Sequence, residues 1–309
     1  MKCVVFGGNG FIGSHLVDAL LSGNHEVRVF DRVAEHFRPP LPGVEYMIGN
    51  FGDTFAMAEA VEGMDVVYHL VSTTFPSTSN KEPVRDIETN LVASVELLQI
   101  MLKSDVRRIV FLSSGGTVYG NPQTVPVPET HPQNPKCSHA VVKIAIEHYL
   151  RMYEELYGLQ TVVLRASNPY GPRQGHRNIQ GFIGSALSNV LHRRPVRIWG
   201  DGSVVRDYHY VTDLAAACTL AGQSAATGTF NIGSGKGHSL NEVLDKIAHV
   251  VGEKPEVVYE AARGYDVQKI VLKTDRARET FGWAPQYEMD EGLRLTWDWM
   301  RHSTGLSEG

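Results

Sequence analysis

Cysteine is scarce in this sequence: Cys3, Cys137 and Cys218 are all there is in 309 residues. Their spacing suits neither a metal nor a redox pair, and their number is odd. That excludes a disulfide framework and leads us to expect a reducing compartment. Long apolar runs are missing too. The first one stops at Gly7, too short for the apolar part of a secretory signal, and no stretch reaches the length of a membrane span. There is no basic run, and the net charge is -5. Nucleic acid and anionic membrane are therefore not expected as partners. No group of residues has metal-ligand spacing, so no metal is expected. Internal repeats and low-complexity tracts are absent. These exclusions leave a cytoplasmic globular protein long enough for one large or two modest cores.

What is present starts at the N-terminus. Residues 2–6 read as one buried strand, and Gly7-Gly8-Asn9-Gly10-Phe11-Ile12-Gly13 follows. Residues 14–21 have helical apolar spacing, and residues 26–30 form a second strand that ends on Asp31. Gly7 or Gly8, with Gly10, lets the backbone turn tightly and approach a pyrophosphate held at the helix N-terminus. Phe11 and Ile12 open that helix, and Gly13 lets it pack close to the sheet. Asp31 stands eighteen residues after Gly13, where a carboxylate holds an adenosine ribose 2′-OH. A carboxylate repels a 2′-phosphate, which favours NAD as cofactor, while Arg32 next door offers a place for one.

Further strands are read at 44–48, 66–71, 108–112 and 161–165, with helices at 56–61, 86–102 and 138–157. Alternation of this kind gives an α/β fold, a doubly wound parallel Rossmann sheet. Ligands of such sheets lie beyond the carboxyl ends of the strands. Asn50 and Phe51 sit there, where adenine would lie. So do Leu70 and Val71, and Ser167, which complete the expected cofactor contacts. From Gly171 the alternation loosens. The expected division is an NAD-binding domain over 1–168, with part of 205–232 returning to it. A smaller substrate domain takes 169–204 and 233–309, and the last residues look frayed.

Taken together, Gly7 to Gly13, Asp31, Asn90, Ser113 to Gly120, Lys143, Arg165, Asn168 to Gln174, Arg206-Asp207, Asn231-Ile232-Gly233 and Arg263 with Asp266 carry a resemblance. The sequence resembles the extended short-chain dehydrogenase/reductase family, in its nucleotide-sugar epimerase/dehydratase branch, over nearly its whole length. The resemblance implies a Rossmann domain holding NAD and a C-terminal domain holding a nucleoside-diphospho-sugar. It implies a homodimer through two long helices, here 86–102 and 138–157. It also implies the chemistry: a base takes the proton of a sugar hydroxyl while hydride moves to NAD, and the keto sugar is reduced from its other face. Arg206 and Arg263 match the family's diphosphate ligands, a role that suits forked, permanent charges. Asn168 matches a phosphate contact, and Ser72 and Thr73 lie on the loop that lines the sugar. Asn90 matches a residue that orders backbone near the site.

The sequence departs from the family at two places. The family's base is Tyr in Tyr-x-x-x-Lys, and this position reads His139, four residues before Lys143. The family's Ser or Thr, three residues before the Val of Val-Tyr-Gly, reads Gly115. His139 and Lys143 share one helix face. A Tyr titrates near about 10 and needs a shift of roughly three units to work near neutrality, whereas a His starts near about 6.5. His139 is therefore the expected base, although imidazolium beside Lys143 is a less comfortable product. Thr117 is the expected replacement hydroxyl and Ser114 the second candidate; Thr117 alternatively touches only the sugar. Gly116 and Thr117 stand where dehydratases of the branch carry Asp-Glu, which argues against dehydration.

The expected function is an NAD-dependent nucleotide-sugar 4-epimerase. The alternatives are a 4-ketoreductase or dehydrogenase, and a non-catalytic NAD or nucleotide-sugar binding protein. UDP-hexoses and dTDP-6-deoxyhexoses both fit. Common UDP-galactose epimerases carry a Lys shortly after the fourth strand, and Ser and Thr stand there instead. This tilts the reading toward dTDP-L-rhamnose and dTDP-6-deoxy-L-talose, sugars of surface polysaccharides such as O-antigen.

Overall fold

The computed structural model describes residues 1–76, 78–174, 181–262 and 267–303. In chain order its first half contains β1 (Lys2–Phe6), α1 (Phe11–Ser22), β2 (Glu26–Asp31), β3 (Val44–Ile48), α2 (Thr54–Val61) and β4 (Val66–His69). A helical stretch follows: α3 (Pro83–Asp86), a π-helical turn (Ile87–Val92) and α4 (Ala93–Lys103). Then come β5 (Arg108–Ser114), α5 (Ser138–Tyr157) and β6 (Gln160–Ala166). The second half contains β7 (Asn168–Tyr170), α6 (Phe182–Leu191), β8 (Val196–Trp199), β9 (Val205–Tyr210), α7 (Val211–Gln223) and β10 (Gly228–Ile232). It ends with β11 (Gly237–Ser239), α8 (Leu240–Val251), β12 (Val257–Glu260), β13 (Lys269–Ile270), α9 (Asp275–Phe281) and α10 (Met289–Ser303).

Seven parallel strands make the main sheet, in the order β10-β6-β5-β4-β1-β2-β3. Both faces are covered, so the strands are almost continuously apolar. Along β1, Cys3 and Val5 point to a core shared with Leu16 and Leu20 of α1 and Ala217 and Ala221 of α7. Val4 and Phe6 point the other way, to Met57, Leu97, Met101, Ile146 and Leu150. Chain order reverses between β1 and β4, and a crevice opens there beyond the strand ends.

Of the stretch 205–232, β10 joins the main sheet and α7 packs on the core beside α1, whereas β9 belongs to a smaller sheet. That sheet runs β11-β9-β13, with β7 also paired to β9, and β8 pairs with β12 beside it. Helices α6, α8 and α10 supply its separate apolar core around Tyr170, Leu187, Ile247 and Leu293. A reciprocal capping box between Ser239 and Glu242 starts α8.

One expected helix differs. The stretch read as 86–102 begins at Pro83, suited to a first helical turn, and is interrupted by the π turn. Among the described residues no helix is long and apolar enough to cross a membrane.

Candidate active site

The glycine turn and the start of α1 form a cradle at the crevice. Gly7 takes φ 86°, and its N–H donates to the Phe30 carbonyl at 2.9 Å. A Cβ on Gly13 would overlap the Gly7 carbonyl oxygen and sit 2.7 Å from Gly8 Cα, so only glycine lets the helix come this close. Gly10 caps α1 without a side chain, which leaves first-turn N–H groups for an anion. The Asn9 N–H donates to Asp31 Oδ2 at 3.0 Å, and Asn9 Nδ2 to the Val33 carbonyl at 2.7 Å. The carboxylate is thereby drawn to the rim of the turn. Asn9 Oδ1 is buried without a partner. Leu70 N–H donates to the Phe6 carbonyl at 3.0 Å, which sets Leu70 and Val71 against the turn. Phe11 and Ile12 are half-buried at the helix start, and Arg32 and Asn50 are exposed. The Phe51 ring is part of a wall, 5.8 Å from Phe6 and 4.8 Å from His69. A tight turn, open helix N–H groups and a carboxylate at its rim fit the pyrophosphate and ribose of NAD.

Helix α5 supplies the second group. His139, Lys143 and Glu147 follow at intervals of four, and all three are buried on its inner face. Lys143 Nζ donates to the Leu112 carbonyl at 2.8 Å and lies 4.6 Å from the centre of the Phe111 ring. Burial pushes Lys143 down to about 8, against the pull of Glu147 and Asp86. Burial, then the charge of Lys143, push His139 down to about 4, with Asp86 acting in the opposite sense. The imidazole is therefore neutral at neutral pH. No hydrogen bond engages its ring among the described residues.

The strand ends supply the third group. Gly115 N–H donates to the Ala166 carbonyl at 2.7 Å. A Cβ there would stand 2.5 Å from Leu272 Cδ1 and 2.8 Å from the Arg165 carbonyl oxygen. The missing hydroxyl is thus a packing requirement. Two residues on, Thr117 Oγ1 donates to Ser114 Oγ at 2.8 Å, so the two candidate hydroxyls form one half-buried pair. Across from them, Asn168 Nδ2 donates to the Asp207 carbonyl at 2.9 Å.

The loop after β4 is tied down by the π turn. Asn90 Oδ1 accepts from the Thr73 N–H at 2.9 Å, and its Nδ2 donates to Thr73 Oγ1 at 2.7 Å. Thr74 Oγ1 donates to Asp86 Oδ1 at 2.6 Å. Ser72 is exposed. The structure thus brings the loop, Asn90 and the first turn of α5 together.

Residues 3–233 match the NAD dependent epimerase/dehydratase family. The chain belongs to this family. Among its relatives is the UDP-glucose 4-epimerase of Mycolicibacterium smegmatis, 35% identical over 98% of this chain and 100% of its own. The crystal structure of UDP-glucose 4-epimerase from Thermotoga maritima with UDP-glucose is similar, with TM-score 0.94 and 34% identity over 98% of this chain and all of that one. So is the NAD complex of the Thermus thermophilus UDP-glucose 4-epimerase, with TM-score 0.91 and 37% identity over 97% of this chain and 99% of that one.

Membership of an NAD dependent family accounts for the cradle, and NAD is the cofactor. Two buried networks are each built on a residue that carried the resemblance, Arg165 in one and Asp207 in the other. In the first, Arg165 grips Glu147 through Nε at 3.1 Å and Nη2 at 2.6 Å, and donates to the Tyr119 hydroxyl at 2.9 Å. Ser113 Oγ also donates to Glu147. The epimerase family's Arg165 is therefore a buried brace under α5. In the second, Asp207 accepts from the N–H groups of Ser234, Gly235 and Leu272 and from the hydroxyls of Ser234 and Ser167. Ser167 Oγ also lies 2.8 Å from His209 Nδ1. The Ser167 hydroxyl is thus engaged within the protein, and its N–H donates to the Ile232 carbonyl at 2.8 Å. Arg206 is half-buried on β9, and Arg263 lies outside the described residues. Among the described residues no cluster is fit to hold a metal ion.

Proposed function

We propose that the protein interconverts C4 epimers of a UDP-hexose, with His139 as the general base. The observation that carries this reading is the ring of His139: buried, without a hydrogen bond to any described residue, and one helical turn from Lys143, which is tied to the Leu112 carbonyl near the end of β5. Bound NAD supplies a hydride acceptor for the oxidation at C4 and a hydride donor for its reversal. His139 takes the C4 hydroxyl proton and later returns it. Lys143 fixes the geometry on this side through the Leu112 carbonyl. The Thr117–Ser114 pair offers the hydroxyl that Gly115 cannot. Arg206, Arg263 and Asn168 receive the diphosphate.

The UDP-glucose 4-epimerase relatives support a UDP-hexose. The tilt toward a deoxyhexose rests on Ser and Thr standing where common UDP-galactose epimerases carry a Lys, and the full-length UDP-glucose 4-epimerase relatives outweigh it. A homodimer is part of the proposal. Val141, Tyr149, Met152 and Leu156 are exposed on α5, and Val84, Ile87 and Val92 on the helical stretch before β5. All of these but Val84 lie in 86–102 and 138–157, the two segments through which the family resemblance implies a dimer.

The test is NMR of UDP-glucose, UDP-galactose and dTDP-L-rhamnose mixed with wild type and with His139→Ala. Wild type is expected to equilibrate the UDP-hexoses. The variant is expected to retain NAD and lose about 10²- to 10⁴-fold in rate, the span of a general base. Equal turnover by both proteins would remove His139 from the chemistry.

A further inference from the structure

We propose that Asp86 is the counter-ion that lets His139 receive a proton, so that this carboxylate helps an imidazole base and would hinder a phenolate at the same place. The inference rests on the reading of His139 as base and adds to it a positioning residue on another helix.

Asp86 is fully buried at the end of α3. Its carboxylate accepts from Thr74 Oγ1 at 2.6 Å, Ser138 Oγ at 2.7 Å and Asn90 Nδ2 at 2.9 Å. All three donors are neutral. Among the described residues no Lys or Arg forms an ion pair with it, although buried carboxylates are ordinarily paired. Ser138 immediately precedes His139, so the anion lies against the first turn of α5. The groups that face His139 electrostatically are Lys143 on its own helix and Asp86 from α3. Lys143 in turn is faced by Glu147 and Asp86. A proton arriving on His139 thus meets one repelling and one attracting charge, and the attracting one is Asp86.

The sign of the effect depends on the base. NAD, when bound, would accept the hydride that C4 gives up; when the sugar O–H proton moves to an imidazole nitrogen, the base goes from neutral to cationic. A nearby anion stabilises that product. A phenolate goes from anionic to neutral in the same step. The same anion then opposes the reactive form, raising the phenol's pKa and thinning the phenolate near neutrality. The Thr74, Ser138 and Asn90 contacts hold the carboxylate at this spot through neutral donors alone.

The experiment is a pair of comparisons at neutral pH on the purified, NAD-containing protein. Asp86→Asn is nearly isosteric and can keep hydrogen bonds to the Ser138 and Thr74 hydroxyls. It is expected to lower kcat by about three- to tenfold, as a base weakened by about one unit would. In a His139→Tyr background the same change is expected to raise kcat. An independent readout uses ring-labelled tyrosine in His139→Tyr, with and without Asp86→Asn. NMR titration of the new phenol should show a lower pKa in the double variant, whether or not either protein turns over. Thermal melting checks that each variant is folded. Equal losses in both backgrounds, or a phenol pKa that does not move, would overturn the counter-ion role and leave Asp86 a structural residue. A phenol that shifts as expected, in a protein whose His139→Ala variant stays active, would instead overturn the assignment of the base.

Discussion

Gly115 is pressed against the backbone of Arg165. A Cβ on Gly115 would stand 2.8 Å from the Arg165 carbonyl oxygen, and Leu272 closes the other side. The family's hydroxyl therefore cannot be restored by simple reversion. Gly115→Ser is expected to destabilise the protein by about 1–3 kcal/mol, the usual cost of overpacking, and to lower activity. Urea unfolding together with an epimerisation assay checks both. A gain in rate at unchanged stability would mean that the position is roomier than it looks.

The buried histidines make stability acid-sensitive. Burial pushes His139 and His15 down to about 4 and His209 down to about 3. In the unfolded chain each titrates near about 6.5. Between those values the unfolded state binds protons that the folded state refuses, so stability falls as pH drops through that window and levels off above it. Each group is expected to lose about 1–2 kcal/mol between pH 7 and pH 5. Denaturant unfolding of wild type and His139→Ala across this range provides the check, because the variant should lose one share of the dependence. The acid limb of kcat/KM should likewise lie well below the 6.5 of a free imidazole.

Glu147 and Arg165 are a buried ion pair at 2.6 Å, and Ser113 adds a further bond to the carboxylate. Removing one partner strands the other. Glu147→Ala is expected to cost about 3–5 kcal/mol, far above an exposed charge change. Arg151–Glu155, on the exposed side of the same helix, is the control, and Glu155→Ala should fall within about 1 kcal/mol of wild type. Thermal or urea unfolding of the two variants separates these outcomes.

The parts of the site that the sequence could disclose were those imposed by backbone geometry or by helical spacing. The glycine turn and the His139–Lys143 interval are of this kind, because each works through neighbours a few residues away, and Asp31 is legible because it ends the strand next to that turn. Glu147 continues the same interval by one turn. Its role depends on Arg165 of β6, which no local pattern connects to it. Asp86 was hidden for the same reason: its partners come from the β4 loop, the π turn and α5. The π turn itself has no local cause in its residues. It accompanies the two-ended grip of Asn90 on Thr73. Gly115 read as a loss, and its packing reason involves Leu272, far along the chain.

Asp207 gathers donors from Ser167 at the end of β6, from the turn at Ser234 and Gly235, and from Leu272 near β13. One carboxylate thus rivets the smaller sheet to the carboxyl edge of the main one. Taking it away would strand three backbone N–H groups and two hydroxyls at the seam between the two sheets.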